Sequence, residues 1–550
     1  MWPSASTGSR SISSGVRTVD RRTWVASIAH LHGTRSPAVS PVGPAHPRGE
    51  GHRGDGRTLT EVATGSTDEG GTAGGPSVRV DEAAGRWVLV ATILGSGMTM
   101  LDSTVVNVAL PRLGDDLGSD FAGLQWVVNG YMLALASLIL LGGSLGDRLG
   151  RRRVFTAGAV AFTAASLLCA VAPSVEALVA ARVLQGVGGA LLTPGSLAII
   201  HATIHPDDRG RAIGTWSGLG GITTAIGPFL GGWIVDVASW RWIFLINLPL
   251  GALVTYVAVT RLPETRDAEA STHLDLAGAA LGAGGLAVLT WGLIEARTAG
   301  VAAGLVLLAL FVAVERRTTD PMLVVSIFRS RAFSATNGAT LFIYGALGAS
   351  MFMIALVLQR AMGYSPLEAG AATVPVTLVL LVASPWAGAL AQRIGPRLPM
   401  TVGPLGIAAG LVLMRRIAPG AGYAEAVLPA VLGLAAGLAL TVAPLTATAL
   451  ATAPDRHAGL ASGVNNAVAR TGQLLAVAVI PLVAGFAPGV EVAPDELVVG
   501  FHTVSTVVAA GVVVAAAFAW AFVPVDALDP GRPTGPSGSA AAERHVVDDE

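Results

Sequence analysis

Two charged residues stand where charge is expensive. Asp102 lies inside a long apolar run and is the one acid well inside any of the first six such runs; Arg182 lies inside the fourth. A carboxylate or guanidinium in hydrocarbon is costly and defaults to a functional role. Counting from the run ends at ~1.5 Å per residue, Asp102 falls ~12 Å and Arg182 ~9 Å below the same membrane surface, depths that permit a pair. The chemistry such a pair could perform is proton exchange. Deprotonated, Asp102 is held by Arg182 or by a cationic substrate; protonated, it releases them. A static ion pair tying two helices is the competing reading.

The elements that carry these residues follow from composition. The 550 residues are 52% hydrophobic and 13% charged, with mean hydropathy +0.62, against about a quarter charged in soluble proteins. Apolar runs of about 17 to 25 residues read as spanning α-helices, not barrel strands. They fall near 87–110, 123–143, 154–172, 176–200, 212–234, 242–260, 274–294, 300–315, 333–357, 367–391, 398–417, 426–449, 458–486 and 500–523. The expected fold is an all-α integral membrane bundle. Its domains are 86–261 and 319–523 as six-helix halves, with 262–318 between them carrying an extra helix pair. Residues 1–85 and 524–550 read as disordered cytoplasmic tails; the first is a passive tail or sequence upstream of the true start rather than a functional arm. All 35 basic residues are arginine, a composition typical of a GC-rich bacterium, and the single Cys169 excludes an internal disulfide or a cysteine metal site.

Between the second and third runs lies GGSLGDRLGRRRVF, Gly142 to Phe155. Gly143 and Gly150 suit close helix approach, Asp147 a helix end, and Arg148, Arg151 and Arg152 a short cytoplasmic loop and gate. A weaker copy runs from Gly388 to Arg397, with Gln392 in place of the acid, so the chain reads as two related halves. The arginine bias of the loops places both termini in the cytoplasm, with Arg415 and Arg416 against the trend. Gly227, Pro228, Gly231 and Gly232 punctuate the fifth run, where glycines permit backbone contact and proline can bend a helix.

Aromatic and amide residues are candidates for a substrate cavity: Asn107, Trp126, Asn129, Tyr131, Gln185, Trp216, Tyr344, Gln359 and Asn465, with Asn247, Trp291, Phe342, Phe352 and Asn466. Lipid-facing or interfacial positions compete for the aromatic ones. His201, His205, Asp207 and Asp208 read as solvated capping residues rather than a metal site. No P-loop, nucleophile elbow or zinc-protease pattern is present, so neither ATP-driven nor enzymatic chemistry has support, and no cofactor, metal or nucleic acid is expected.

In combination, LDSTVVNVALP (Leu101 to Pro111), GxLxDRxGRR, LVAARVLQGVGGALLTP (Leu178 to Pro194), GPFLGG (Gly227 to Gly232), WRWIFLINLPLG (Trp240 to Gly251) and GLASGVNNAVARTGQ (Gly459 to Gln473) resemble the major facilitator superfamily. The resemblance is closest to its fourteen-helix drug:proton antiporters and covers essentially all of 87–523. Thr223 stands where the antiporter motif usually has glycine. The resemblance implies a cytoplasmic-membrane exporter of hydrophobic drugs or antibiotics, driven by protons, with Arg182 taking part in proton relay and the protein working as a monomer by alternating access. A transporter of an endogenous metabolite, lipid or amino acid is the alternative on the same fold, and a non-transporting sensor or scaffold the alternative of another class.

Overall fold

A computed structural model of the chain describes residues 78–267, 273–453, 458–487 and 490–529. The expected tails, apart from their inner ends, and Arg456 lie outside the described residues. Among the described residues fourteen long helices follow one another: α1 Ala83–Leu117, α2 Phe121–Leu149, α3 Arg151–Ala170, α4 Val175–Thr203, α5 Pro206–Val237, α6 Trp242–Arg261, α7 Leu276–Ile294, α8 Thr298–Glu315, α9 Arg331–Ala361, α10 Pro366–Ile394, α11 Arg397–Arg416, α12 Tyr423–Ala451, α13 Ala458–Ala478 with the short continuation Ile480–Ala484, and α14 Pro494–Phe522. Thirteen of them are long and apolar enough to cross a membrane; α13 is the more polar exception. Helices suit this role because each satisfies its own backbone hydrogen bonds away from water. Their starts carry the expected caps, among them Asp120 accepting from Gly123 N at 2.8 Å and the reciprocal Ser365–Glu368 box of α10. Glu368 is thus a capping residue at a segment edge.

The packing repeats itself. In the first half α2 packs on α4, α3 on α4 and α6, and α1 on α5 and α6; in the second half α10 packs on α12, α11 on α12 and α14, and α9 on α13 and α14. The halves meet through α5 with α10 and α2 with α13, pairs that exchange under the same two-fold relation. The inserted α7 and α8 pack on each other, and α7 also lies against α2 and α13.

Several helices run past the expected apolar segments, α1 to Leu117, α2 to Leu149 and α5 from Pro206. The first helix begins at Ala83, four residues before Trp87. Residues 78–82, read as tail, are tied to the α4–α5 turn: Val78 N donates to Thr203 O at 2.9 Å, His205 N donates to Val78 O at 3.0 Å, and Arg211 pairs with Asp81 at 3.2 Å. Backbone pairing accounts for this order in a segment without an apolar run.

Contacts between the halves tighten at the end marked by Asp115. There Gly232 of α5 lies against Pro366 O, and Gly370 of α10 lies against Pro228 O, so closely that a methyl group on either glycine would collide with backbone. Gln359 donates to Val108 O at 2.9 Å, and Arg360 pairs with Asp115 at 3.1 Å. Gln125 donates to Val477 O at 2.5 Å. Toward the Asp147 end, Gly210, Gly214, Gly218 and Gly221 of α5 face open space instead.

Candidate functional site

The structure brings Asp102 and Arg182 together. Both are 1% exposed, and Arg182 Nη1 donates to Asp102 Oδ2 at 2.5 Å. Each carries further partners. Gln185 lies three residues after Arg182 and so on the same face of α4. Its Nε2 donates to Asp102 Oδ1 and to Ser166 Oγ, both at 2.8 Å, and its Oε1 accepts from Arg182 Nη1 at 2.6 Å. Asn247 of α6 donates to Asp102 Oδ1 at 3.2 Å and to Ser166 Oγ at 3.3 Å. Arg182 Nε donates to Val127 O of α2 at 3.2 Å, and the guanidinium lies 4.3 Å from the Tyr131 ring centroid. Five helices therefore converge on one charge pair: α1, α2, α3, α4 and α6.

A buried ion pair is maintained only when its remaining donors and acceptors are satisfied. Here the carboxylate accepts from three side chains and the guanidinium has a carboxylate, an amide oxygen, a carbonyl and an aromatic face. Such an arrangement has two electrostatic conditions. Ionised, Asp102 cancels Arg182; protonated, it leaves Arg182 as net charge among low-dielectric neighbours. Enclosure also means that a cationic substrate reaches Asp102 only after this shell opens.

The Gly142–Phe155 turn is clasped to the segment following α6. Arg151 pairs with Asp147 at 2.7 Å, Arg152 and Arg153 pair with Glu264 at 3.4 and 3.6 Å, Arg151 N donates to Thr265 O at 2.8 Å, and Arg148 donates to His273 O. Gly150 has φ +109°, a conformation L side chains rarely adopt, and an added Cβ would meet Glu264. Gly143 is not the point of close approach expected of it: an added Cβ would make only ordinary contact with Pro194, at 3.7 Å. Its neighbour Gly142 takes that part instead, lying directly on the Ala190 carbonyl of α4. In α5, Gly227 and Gly231 face α1 at Thr104 and Val105, whereas Gly232 and Pro228 face α10. The punctuated stretch thus sits where α5 packs on two helices at once.

The cavity candidates divide by partner. Gln185, Tyr131 and Asn247 belong to the ion-pair shell, and Gln359 bridges the halves. Trp216 Nε1 donates to Ser96 Oγ at 3.1 Å, and Ser96 to Ser196 Oγ at 2.8 Å, linking α5, α1 and α4. Asn465 donates to Asn337 Oδ1 at 3.2 Å and Thr340 Oγ1 at 2.9 Å within the second half. Asn107 bonds back to Ser103 O of its own helix at 3.4 Å. Trp126 and Tyr344 are half-buried. Asn129 is fully buried, and neither its amide nitrogen nor its oxygen has a partner. His205 Nδ1 accepts from Asp207 N at 3.4 Å as a cap, and Asp207 and Asp208 face Arg79 at 3.5 and 3.9 Å.

Two charged residues escaped the sequence reading. Glu315, at the end of α8, is buried, accepts from Leu323 N at 3.0 Å, and has a second oxygen without a partner. Arg470 lies in the middle of α13. The cost of charge in hydrocarbon that singles out Asp102 and Arg182 applies equally to Arg470.

A two-fold repeated bundle of helices long and apolar enough to span a membrane, with an enclosed charge pair between them, is the architecture of a multi-pass membrane protein. The sequence profile of the Major Facilitator Superfamily matches residues 92–477 and 336–547, and the chain belongs to that family. It is 35% identical to the tetracenomycin C resistance and export protein of Streptomyces glaucescens over 417 residues, 74% of this chain and 77% of that one. It is likewise 34% identical to the multidrug resistance protein Stp of Mycobacterium tuberculosis (71% of this chain, 74% of the relative), and 35% identical to the methylenomycin A resistance protein of Bacillus subtilis (71% and 86%). Among solved structures, a D-xylose-proton symporter shares the fold with TM-score 0.57 at 17% identity, covering 80% of this chain and 98% of the symporter.

Proposed function

We propose that the protein is a proton-coupled antiporter that exports hydrophobic drugs or antibiotics across the cytoplasmic membrane, acting as a monomer with both termini in the cytoplasm. The observation that carries this reading is the sealed Asp102–Arg182 pair, in a chain whose curated relatives are resistance and export proteins. The arginine-rich turn at Asp147 marks the cytoplasmic end. The halves 86–261 and 319–523 then rock about the α5–α10 and α2–α13 contacts, with the Asp115 end closed and the other end receiving substrate from the cell interior.

In this scheme protonation of Asp102 removes the carboxylate charge and frees a donor of Arg182. The pair is the two-state element whose equilibrium both the proton and the position of α1 against α4 bias. Because Asn247 and Gln185 donate to the same carboxylate, α6 and α4 sense the change together.

The test is proton flux into vesicles containing the purified protein, followed with a pH-sensitive dye, as lipophilic antibiotics are added to wild type and Asp102→Asn. A substrate-evoked proton signal in wild type, reduced at least ~100-fold in the variant, is the expected outcome. Equal signals in both remove Asp102 from coupling, and no signal for any compound removes drug:proton exchange.

A further inference from the structure

Arg470 is a second cation inside the bundle, and it differs from Arg182 in having no counter-charge. It lies about twelve residues beyond the start of α13, roughly 18 Å along the helix axis and so near the middle of a bilayer-spanning length. It is half-buried, and its one hydrogen bond is to Gln473 Oε1, on its own helix, at 3.3 Å. No carboxylate among the described residues pairs with it. Its helix packs on α2 of the other half and on α9 of its own half, and Gln473, which accepts from it, lies against Gly348 of α9. Arg470 therefore belongs to the region between the halves, not to the lipid face.

An uncompensated guanidinium at this depth is costly to keep, and such residues mark substrate or ion pathways. Asp102 does not supply the missing charge, because Arg182, Gln185 and Asn247 enclose it. The only other fully buried acid among the described residues, Glu315, ends α8 outside the two six-helix halves. At the depth of Arg470 the described residues thus offer a cation and no accessible anion. A guanidinium pairs bidentately with a carboxylate, and its planar fork also receives other delocalised oxyanions.

We propose that Arg470 is the substrate anchor of the exporter and that its preferred cargo is an aromatic organic acid, bearing a carboxylate or an acidic phenol or enol. The acidic group docks on Arg470, and the half-buried Tyr344 of α9, the helix on which α13 packs, offers an aromatic surface for the rest of the cargo. This deepens the export reading and rests on it.

The test uses the full-length protein in lipid nanodiscs with three fluorescent probes of one skeleton: anthracene-2-carboxylate, anthracene-2-carboxamide and a trimethylammonium-substituted anthracene. Wild type is expected to bind the carboxylate at least ~10-fold tighter than the carboxamide, a difference of ~1.4 kcal/mol. Arg470→Gln brings the carboxylate down to the carboxamide's affinity while the carboxamide is unchanged, which also shows that the variant is folded; Arg470→Lys retains part of the preference. Equal affinity of the two probes in wild type, or a preference that survives Arg470→Gln, overturns the assignment. Vesicle export of the same probes separates the two readings. Export of the ammonium probe without the carboxylate overturns the acid preference and leaves drug export standing. A carboxylate preference in binding, with no export of any probe, keeps Arg470 as an anion site and overturns export.

Discussion

In the first half the helices meet around charge. Asp102 and Arg182 lie 2.5 Å apart, with Gln185 and Asn247 donating to the carboxylate and Ser166 accepting from both of these amides. In the second half α9 and α13 meet around neutral groups, Asn465 donating to Asn337 and Thr340. The same packing pattern is therefore filled with two chemistries. A charge pair has a protonation state that can change and a large penalty when one partner is lost; an amide–hydroxyl cluster has neither. In the proposed mechanism proton coupling belongs to the first half, and the second half contributes a fixed frame together with Arg470, with which no carboxylate among the described residues pairs.

The largest effect expected from breaking this contrast is on stability. Asp102→Asn leaves Arg182 buried without its counter-charge and should cost about 3–5 kcal/mol, read as a fall in the unfolding midpoint in detergent or nanodiscs. Adding Arg182→Gln removes the stranded charge. The double variant should regain most of that loss while proton flux stays absent, because two neutral groups pack without exchanging a proton. A double variant no more stable than the single one would show that the pair is not energetically coupled.

A smaller effect is expected in the neutral cluster. Asn465→Ala removes two side-chain hydrogen bonds and leaves Thr340 and Asn337 to find other partners, at a cost of about 1–3 kcal/mol. Substrate-evoked proton flux per folded molecule should remain within about twofold of wild type, well inside the 1.4 kcal/mol that a tenfold change represents. Loss of flux with stability intact would move part of the coupling into the second half.

The bundle was legible because hydrocarbon length and charge cost leave simple marks in a sequence. Apolar runs locate the fourteen described helices, and the repeated turn alone points to two halves. The depths of Asp102 and Arg182, counted from helix ends, permit a pair without requiring one. The shell around them was less accessible. Gln185 carries a signal, its i+3 spacing from Arg182, but Asn247 reaches Asp102, and Ser166 reaches Gln185 and Asn247, only through the packing of α6 and α3. Gly142 took the close contact expected of Gly143 because one residue rotates a helix position by about 100°, and hydropathy does not fix that rotation. Glu315 was hidden by its place at the end of α8, where a sequence reading expects solvent.

Asn129 sharpens the comparison at its smallest scale. It is a buried amide of the first half, yet unlike Gln185 and Asn247 both its polar atoms lack partners. Gln125, one turn earlier on α2, reaches across to Val477 O of α13, and Val127 O receives Arg182, so Asn129 stands between an inter-half contact and the charge pair. An unsatisfied buried amide costs about 1–3 kcal/mol, and a group retained at such cost is accounted for by a second conformation or a ligand that uses it. Asn129→Leu, similar in length and wholly apolar, should then raise the unfolding midpoint while lowering substrate-evoked proton flux. A rise in stability with flux unchanged would reduce Asn129 to a packing defect. A fall in stability would mean that buried water already satisfies the amide, leaving the shell of Asp102 as the whole of the functional polar core in this half.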